Sequence, residues 1–253
     1  MGSGCDNCYA KKLLDTRQAA NPTSVRFGHP FETVLTHSER LTQPLRWRRP
    51  RKIFVNSLSD LFHRDIPDSF ITDVFNIMRK APQHTFQLLT KRAERMERFV
   101  RRDVEQHGVM PHLYLGVSIE NEAAQWRFPH LLRTPAAVRW ISAEPLIGSL
   151  ATLDLAGADW IIVGGESGPG ARPMQREWAR DLRDRCSIGG IPFFFKQWGE
   201  WAPPEVPAGG VIRWIPNREN FEYHMARVGK ARAGRVLDGH THDEYPLAAL
   251  QGK

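Results

Sequence analysis

Cys5 and Cys8 stand two residues apart in the stretch Gly4-Cys5-Asp6-Asn7-Cys8. Two thiols at that spacing can grip one metal centre. Gly4 lets the backbone turn tightly enough to aim both sulfurs the same way. A lone CxxC is half of a zinc site, a redox pair or part of an iron–sulfur ligand run. Two thiols complete neither a four-coordinate zinc site nor a cluster, so further ligands must come from elsewhere. The third cysteine, Cys186, ends a helical stretch before Gly189-Gly190, where a buried, unreactive thiol is expected.

A second set of polar residues follows apolar runs at regular intervals. Lys52-Ile53-Phe54-Val55 leads into Asn56 and Ser57, with Asp60 beyond, and Thr85-Phe86-Gln87-Leu88-Leu89 leads into Thr90-Lys91. Leu113 to Val117 leads into Ser118, Glu120 and Asn121, and Val138-Arg139-Trp140-Ile141 into Ser142-Ala143-Glu144. Trp160-Ile161-Ile162-Val163 leads into Gly164-Gly165-Glu166-Ser167-Gly168, and Ile191 to Phe195 into Lys196-Gln197-Trp198. Acids and lysines directly after buried runs need partners. Lys91, Glu120, Glu144 and Lys196 are therefore the candidate catalytic residues. Asn56, Ser57, Gly164, Gly165, Glu166 and Ser167 are the candidate ligand contacts. The glycines either admit a ligand to the backbone, whose N–H groups would cradle a carboxylate or phosphate, or make a tight turn before a helix. The loop has neither Walker nor dinucleotide spacing.

The elements that must position these residues read as continuous apolar strands alternating with amphipathic helices, which implies a parallel sheet covered by helices. Pro67 opens one helix, with Phe70, Ile71, Val74, Phe75 and Met78 on one face, and further helices are predicted over 92–105 and 175–186. Residues 32–36 form a weak additional strand, and the crossover after Glu144 carries no helix. The expected fold is α/β: a full or partial (β/α) TIM-type barrel over 1–199, with a doubly wound sheet as the competing arrangement. The composition changes at Glu200, and 200–253 is read as a C-terminal extension packed on the barrel.

The 253 residues are 41% hydrophobic and carry a net charge of +7, enough for one sizeable core. No apolar run approaches the ~20 residues needed to span a bilayer and no leader pattern opens the chain, so a soluble cytoplasmic protein is expected. Basic clusters at 46–52, 91–102 and 230–235 favour an anionic partner, either nucleic acid or a phosphorylated small molecule. In 91–102 the interleaved acids describe a solvated helix face. His240 and His242 form a short HxH beside Asp243-Glu244, which is either a metal site or a solvated tail. Trp198 and Trp201 either pack or stack a base.

Taken together, Gly4-Cys5-Asp6-Asn7-Cys8-Tyr9-Ala10, Phe54 to Phe62, Leu88 to Arg92, Ser142-Ala143-Glu144-Pro145-Leu146, Val163 to Pro173, Phe194 to Gly199 and Ala233 to Gly239 resemble the phage Gp thirty-seven/sixty-eight family, a three-cysteine-motif family related to the radical S-adenosylmethionine (SAM) enzymes. The likeness covers nearly the whole chain. It implies a [4Fe–4S] cluster held by three cysteines, with SAM on the open iron and cleaved by the cluster's electron to a carbon radical. It makes Cys5 and Cys8 metal ligands and brings Tyr9 into the cofactor site. Family members carry a further cysteine shortly before Gly4, a position this chain begins too late to include: a start further upstream is expected, the alternative being a truncated copy that cannot assemble the full cluster. The function implied is a radical-SAM-like enzyme acting on nucleic acid or a nucleotide. A metal-stabilised nucleic-acid-binding protein without catalysis is the alternative, and a barrel enzyme using only Lys and Glu is a third.

Overall fold

A computed structural model of the chain describes residues 3–18, 20–24, 26–203, 211–216 and 222–246. Six parallel strands run in sheet order β1 (Lys52–Val55), β2 (Thr85–Thr90), β3 (Leu113–Ser118), β4 (Val138–Ala143), β5 (Trp160–Gly164) and β6 (Phe193–Gln197). Helices α1 (Tyr9–Leu13), α2 (Asp68–Arg79), α3 (Ala93–His107), α4 (Arg127–Arg133) and α5 (Arg176–Gly189) separate or flank them. The fold is mixed α/β and compatible with a partial (β/α) barrel. Its parallel sheet has six strands rather than a closed barrel's eight. The weak strand expected over 32–36 is absent. Thr33 closes a turn on Pro30, the Phe31 N–H donates to Asp15, and Glu32 is engaged by Lys11. The segment is held by turn and side-chain bonds, with no strand among the described residues beside it.

The chain divides into two compact units. One comprises Cys8–Val117 and Pro129–Arg139. Its strands pair in simple parallel register, Ile53 beside Phe86 and Leu88 beside Leu115. Inside this unit α2 buries Ile71, Val74, Phe75 and Met78, the face that its 3.6-residue spacing assigns. Pro67 precedes it with φ −61°, pre-set for a helix start, and Asp68 places a carboxylate in the first turn. Helix α3 buries Met96, Phe99 and Val100, and the rings of Phe75 and Phe99 meet edge to face with centroids 5.0 Å apart. One charge is taken inside with them, Asp103, paired to Arg79 at 2.8 Å.

The other unit comprises Met1–Asn7, Ser118–Phe128 and Trp140–Lys253. Trp140 and Trp160 lie side by side on β4 and β5 with ring centroids 5.8 Å apart. Helix α5 buries Ala179, Leu182 and Cys186 and ends at Gly190, whose φ of +64° lets the Ile191 N–H return to the Cys186 carbonyl. At residue 200 the chain changes from parallel to antiparallel pairing. Strands β7 (Trp201–Ala202), β8 (Val211–Pro216) and β9 (Glu222–Arg227) form a sheet in the order β7-β9-β8, followed by the short α6 (Lys230–Ala233). The tail then runs along β6. The Phe195 N–H donates to the His242 carbonyl, the Trp160 indole donates to the Glu244 carbonyl, and Tyr245 packs on Trp160 and Phe194. This covers backbone groups that an edge strand would leave bare. No helix among the described residues is long and apolar enough to cross a membrane.

Because Phe75 is fully buried against Phe99, Phe75→Ala is expected to cost about 3–5 kcal/mol. Urea unfolding followed by far-ultraviolet circular dichroism measures this, and a loss below about 1 kcal/mol would contradict the described packing.

Candidate functional site

Three neighbouring strand ends of the second unit build a polar cluster. Glu144 directly follows β4, the glycine loop follows β5, and Lys196 and Gln197 close β6. The Lys196 ammonium donates to Glu144 Oε2 at 2.9 Å, and the Gln197 amide donates to Glu144 Oε1 at 3.1 Å and to Ser167 Oγ at 3.4 Å. Lys196 is half exposed while Glu144 is mostly covered, so the pair presents an ammonium to solvent from a fixed carboxylate. Gly164 makes room for that carboxylate: a Cβ there would stand 3.1 Å from the Glu144 carboxyl carbon.

The loop bearing Cys5 is fastened to the same end of the strands. The Asn7 amide donates to Glu166 Oε2 at 3.2 Å and to the Gly170 carbonyl at 2.8 Å, and Asp6 lies 3.5 Å from Arg172. Glu166, only 5% exposed, accepts from the Arg172 backbone N–H at 2.8 Å, from Nε at 2.9 Å and from Nη2 at 2.7 Å. Burial by itself would raise the Glu166 carboxyl. The Arg172 and Asn7 hydrogen bonds outweigh it and hold the group below the ordinary carboxylate range. Gly4 packs directly on Glu120, whose Cγ would be 2.5 Å from an added Cβ. Glu120 is buried and paired to buried Arg127 at 2.9 Å, and the same guanidinium donates to the Ser118 carbonyl. Removing one partner of such a pair typically costs about 3–5 kcal/mol.

These contacts sort the candidate residues. Glu144, Ser167, Lys196 and Gly164 come together and leave a charged group facing water. Glu120 and Glu166 are consumed by arginines and act as anchors for the Cys5 loop. Neither Arg127 nor Arg172 is among the candidates that the sequence suggests. Arg172 follows Glu166 by six residues, but nothing local in the sequence marks Arg127 as a buried partner.

Gly165 after β5 and Gly199 after β6 have a packing reason. A Cβ at Gly165 would sit 1.8 Å from the Trp198 carbonyl oxygen, and one at Gly199, whose φ is +86°, would sit 2.1 Å from the Glu166 carbonyl oxygen. Two chain segments pass backbone to backbone here, bound by Gly165 N–H to Gln197 and Glu200 N–H to Glu166. Contact between segments, which is neither of the two readings the sequence offers for this loop, explains Gly165 without a ligand. Trp198 and Trp201 are buried, their indoles donating to the Val236 and Ala171 carbonyls, which removes them as base-stacking surfaces.

Asn56, Ser57 and Lys91 belong to the first unit. Asn56 takes a left-handed φ of +63° just after β1, a conformation Asn tolerates better than most residues, and Ser57 is exposed. Their organiser is Asp60, which accepts from Thr90 Oγ1 at 2.7 Å, the Lys91 N–H at 3.1 Å and Arg92 at 2.8 Å. Cys8 caps α1 and Tyr9 is that helix's first residue.

Cys5 and Cys8 are both half-buried and free, whereas Cys186 is fully buried, its thiol pushed up to about 12 by burial. Cys186 is thus inert, as the sequence indicates. Among the described residues no group of three or more His, Cys, Asp or Glu side chains is arranged to hold a metal ion. Within the HxH stretch His242 serves packing, its carbonyl bonded to β6 and its ring against Phe193 at 5.4 Å, while His240 is exposed.

Two consequences are measurable. Gly165→Ala should destabilise the fold by about 1–3 kcal/mol, because the obstructing atoms are backbone, and a melting temperature equal to wild type would contradict the close approach. The Glu166 carboxyl is lower in the folded than in the unfolded chain, whose ordinary value is 4.5. Its stabilisation is therefore complete above that value and is lost as pH falls through the folded one. Glu166→Gln should be less stable than wild type near neutrality, and the gap should narrow as the solution is acidified. Urea midpoints across the acid range check this, and a constant gap would sink it.

No curated protein and no solved structure matches the chain. A family model described as a protein of unknown function, DUF5131, matches residues 1–246. With nearly its whole length matched, the chain belongs to that family.

Proposed function

We propose that the protein is a radical-SAM-like enzyme whose site is the carboxyl end of β4, β5 and β6. The observation that carries this reading is the fastening of the cysteine loop. Asn7, between the two cysteines, is bonded to Glu166 and Gly170 of the loop after β5, on the end of the strands that also bears Glu144 and Lys196. Parallel α/β enzymes do their chemistry at that end. Cys5 and Cys8 would be two of the cluster's thiolates, with Cys186 excluded by its burial. The fit is incomplete. The resemblance calls for three thiolates, and two are offered, so no reaction step follows from a cluster here.

The protein's own residues support binding of the organic ligand. A carboxylate and an ammonium 2.9 Å apart complement a zwitterion, with Glu144 facing an α-ammonium and Lys196 an α-carboxylate, such as the amino-acid end of SAM carries. Gln197, itself bonded to Ser167 Oγ, orients Glu144, and Lys196, with its exposed ammonium, is the group able to move toward a ligand.

Metal analysis of the chain extended upstream to carry the further cysteine, purified without oxygen, tests the proposal. Iron and sulfide with a brown chromophore are expected, lost in Cys5→Ala and in Cys8→Ala and retained in Cys186→Ala. Zinc in place of iron, without SAM cleavage, would replace the enzyme by a metal-stabilised binding protein. Iron undiminished in the Cys5/Cys8 double variant would overturn the cluster assignment.

A further inference from the structure

The loop leading into β1 carries Arg46-Trp47-Arg48-Arg49-Pro50-Arg51-Lys52, and all five of its basic residues are exposed. Its shape is set from inside. Buried His84 accepts the Arg51 N–H on Nδ1 at 3.2 Å, which leaves Nε2–H to donate to the Pro44 carbonyl at 2.9 Å. Gln83 donates to the Trp47 carbonyl and the Thr85 N–H to the Arg51 carbonyl. The Arg51 guanidinium lies 4.7 Å over the Trp47 ring, whose edge meets His84. The cations therefore stand on an ordered platform.

No carboxylate among the described residues pairs with Arg46, Arg48, Arg49 or Arg51, in contrast to three of the four arginines of α3. There Arg95 and Arg102 are bonded to Asp68, and Arg101 lies 3.9 Å from Glu97. Four arginines so close in sequence without internal counter-ions are an unmet demand for anions, and guanidinium forks fit phosphate oxygens. On β1, Lys52 and Phe54 share the outward face, because side chains alternate along a strand, and Phe54 is 44% exposed. Cations beside an outward-facing flat ring match a chain that alternates phosphates with bases.

We propose that the 46–54 segment is a binding surface for single-stranded nucleic acid. The arginines hold successive phosphates and Phe54 takes a base against its face. This is independent of the enzyme reading, since it requires neither metal nor SAM.

Fluorescence anisotropy with a labelled single-stranded oligonucleotide of about 20 residues, over a salt series, tests it on the full chain. The triple variant Arg46→Ala/Arg48→Ala/Arg49→Ala should bind at least about tenfold more weakly. The slope of log affinity against log salt should flatten by about 2, at ~0.7 for each phosphate of a single strand that is no longer neutralised. Phe54→Ala should weaken binding about fivefold or more for the single strand and little for the same sequence as a duplex. The control Arg98→Ala/Arg101→Ala/Arg102→Ala removes equal charge from α3 and should leave affinity within about twofold of wild type. Absence of binding by wild type would overturn the proposal. So would equal weakening in both triple variants, which would reduce the effect to net charge, or tighter binding to anionic phospholipid vesicles than to the oligonucleotide.

Discussion

A carboxylate taken out of water must be met by opposite charge and by donors, or it will not remain ionised where it is. Glu166 is such a group, and much of its unit is arranged to satisfy it. Arg172 closes on it with side chain and backbone, Asn7 reaches it from the cysteine loop, and its own carbonyl accepts the Glu200 N–H. Three chain segments far apart in sequence thus converge on one residue. The same logic repeats at Glu120, where Arg127 supplies the charge and Gly4 the space. The Cys5 loop is positioned by these two buried acids.

The consequence for chemistry is a division of labour among acids that look alike in the sequence. Glu120 and Glu166 spend their charge on structure. Glu144 shares its carboxylate with Lys196 and Gln197 and remains near the surface. A ligand can compete for a half-exposed ammonium far more readily than for a guanidinium making several bonds to a buried carboxylate, because the first exchange costs little desolvation. Lys196 and Glu144 are for that reason the groups best placed to meet a ligand at these strand ends.

Backbone proximity is the second constraint. Gly165 and Gly199 let two segments pass with carbonyls where Cβ atoms would otherwise stand. Within the glycine cluster that stands out in the sequence, Gly165 is therefore explained by contact between segments. Along β6 the tail of residues 242–245 uses backbone bonds and aromatic packing to cover the strand, and His242 takes part through its carbonyl and its ring.

Local pattern carried most of the secondary structure. The apolar runs of β1 to β6 and the helical spacing of α2, α3 and α5 are visible in residue order, because burial imposes period and turn residues punctuate it. The inertness of Cys186 was legible in the same way, from its place on a helix before a glycine break. A two-cysteine loop with Asn between the thiols was also apparent, and so was the accumulation of acids and lysines at strand ends. Tertiary structure alone decided which of those acids are neutralised. Arg127 and Arg172 reach Glu120 and Glu166 through folded geometry that leaves no periodic trace, and Trp198 and Trp201 lose their exposure only when segments distant in sequence close over them. The strand expected over 32–36 failed for a related reason: propensity proposes an extended segment, but a strand exists only where a neighbour offers its hydrogen bonds.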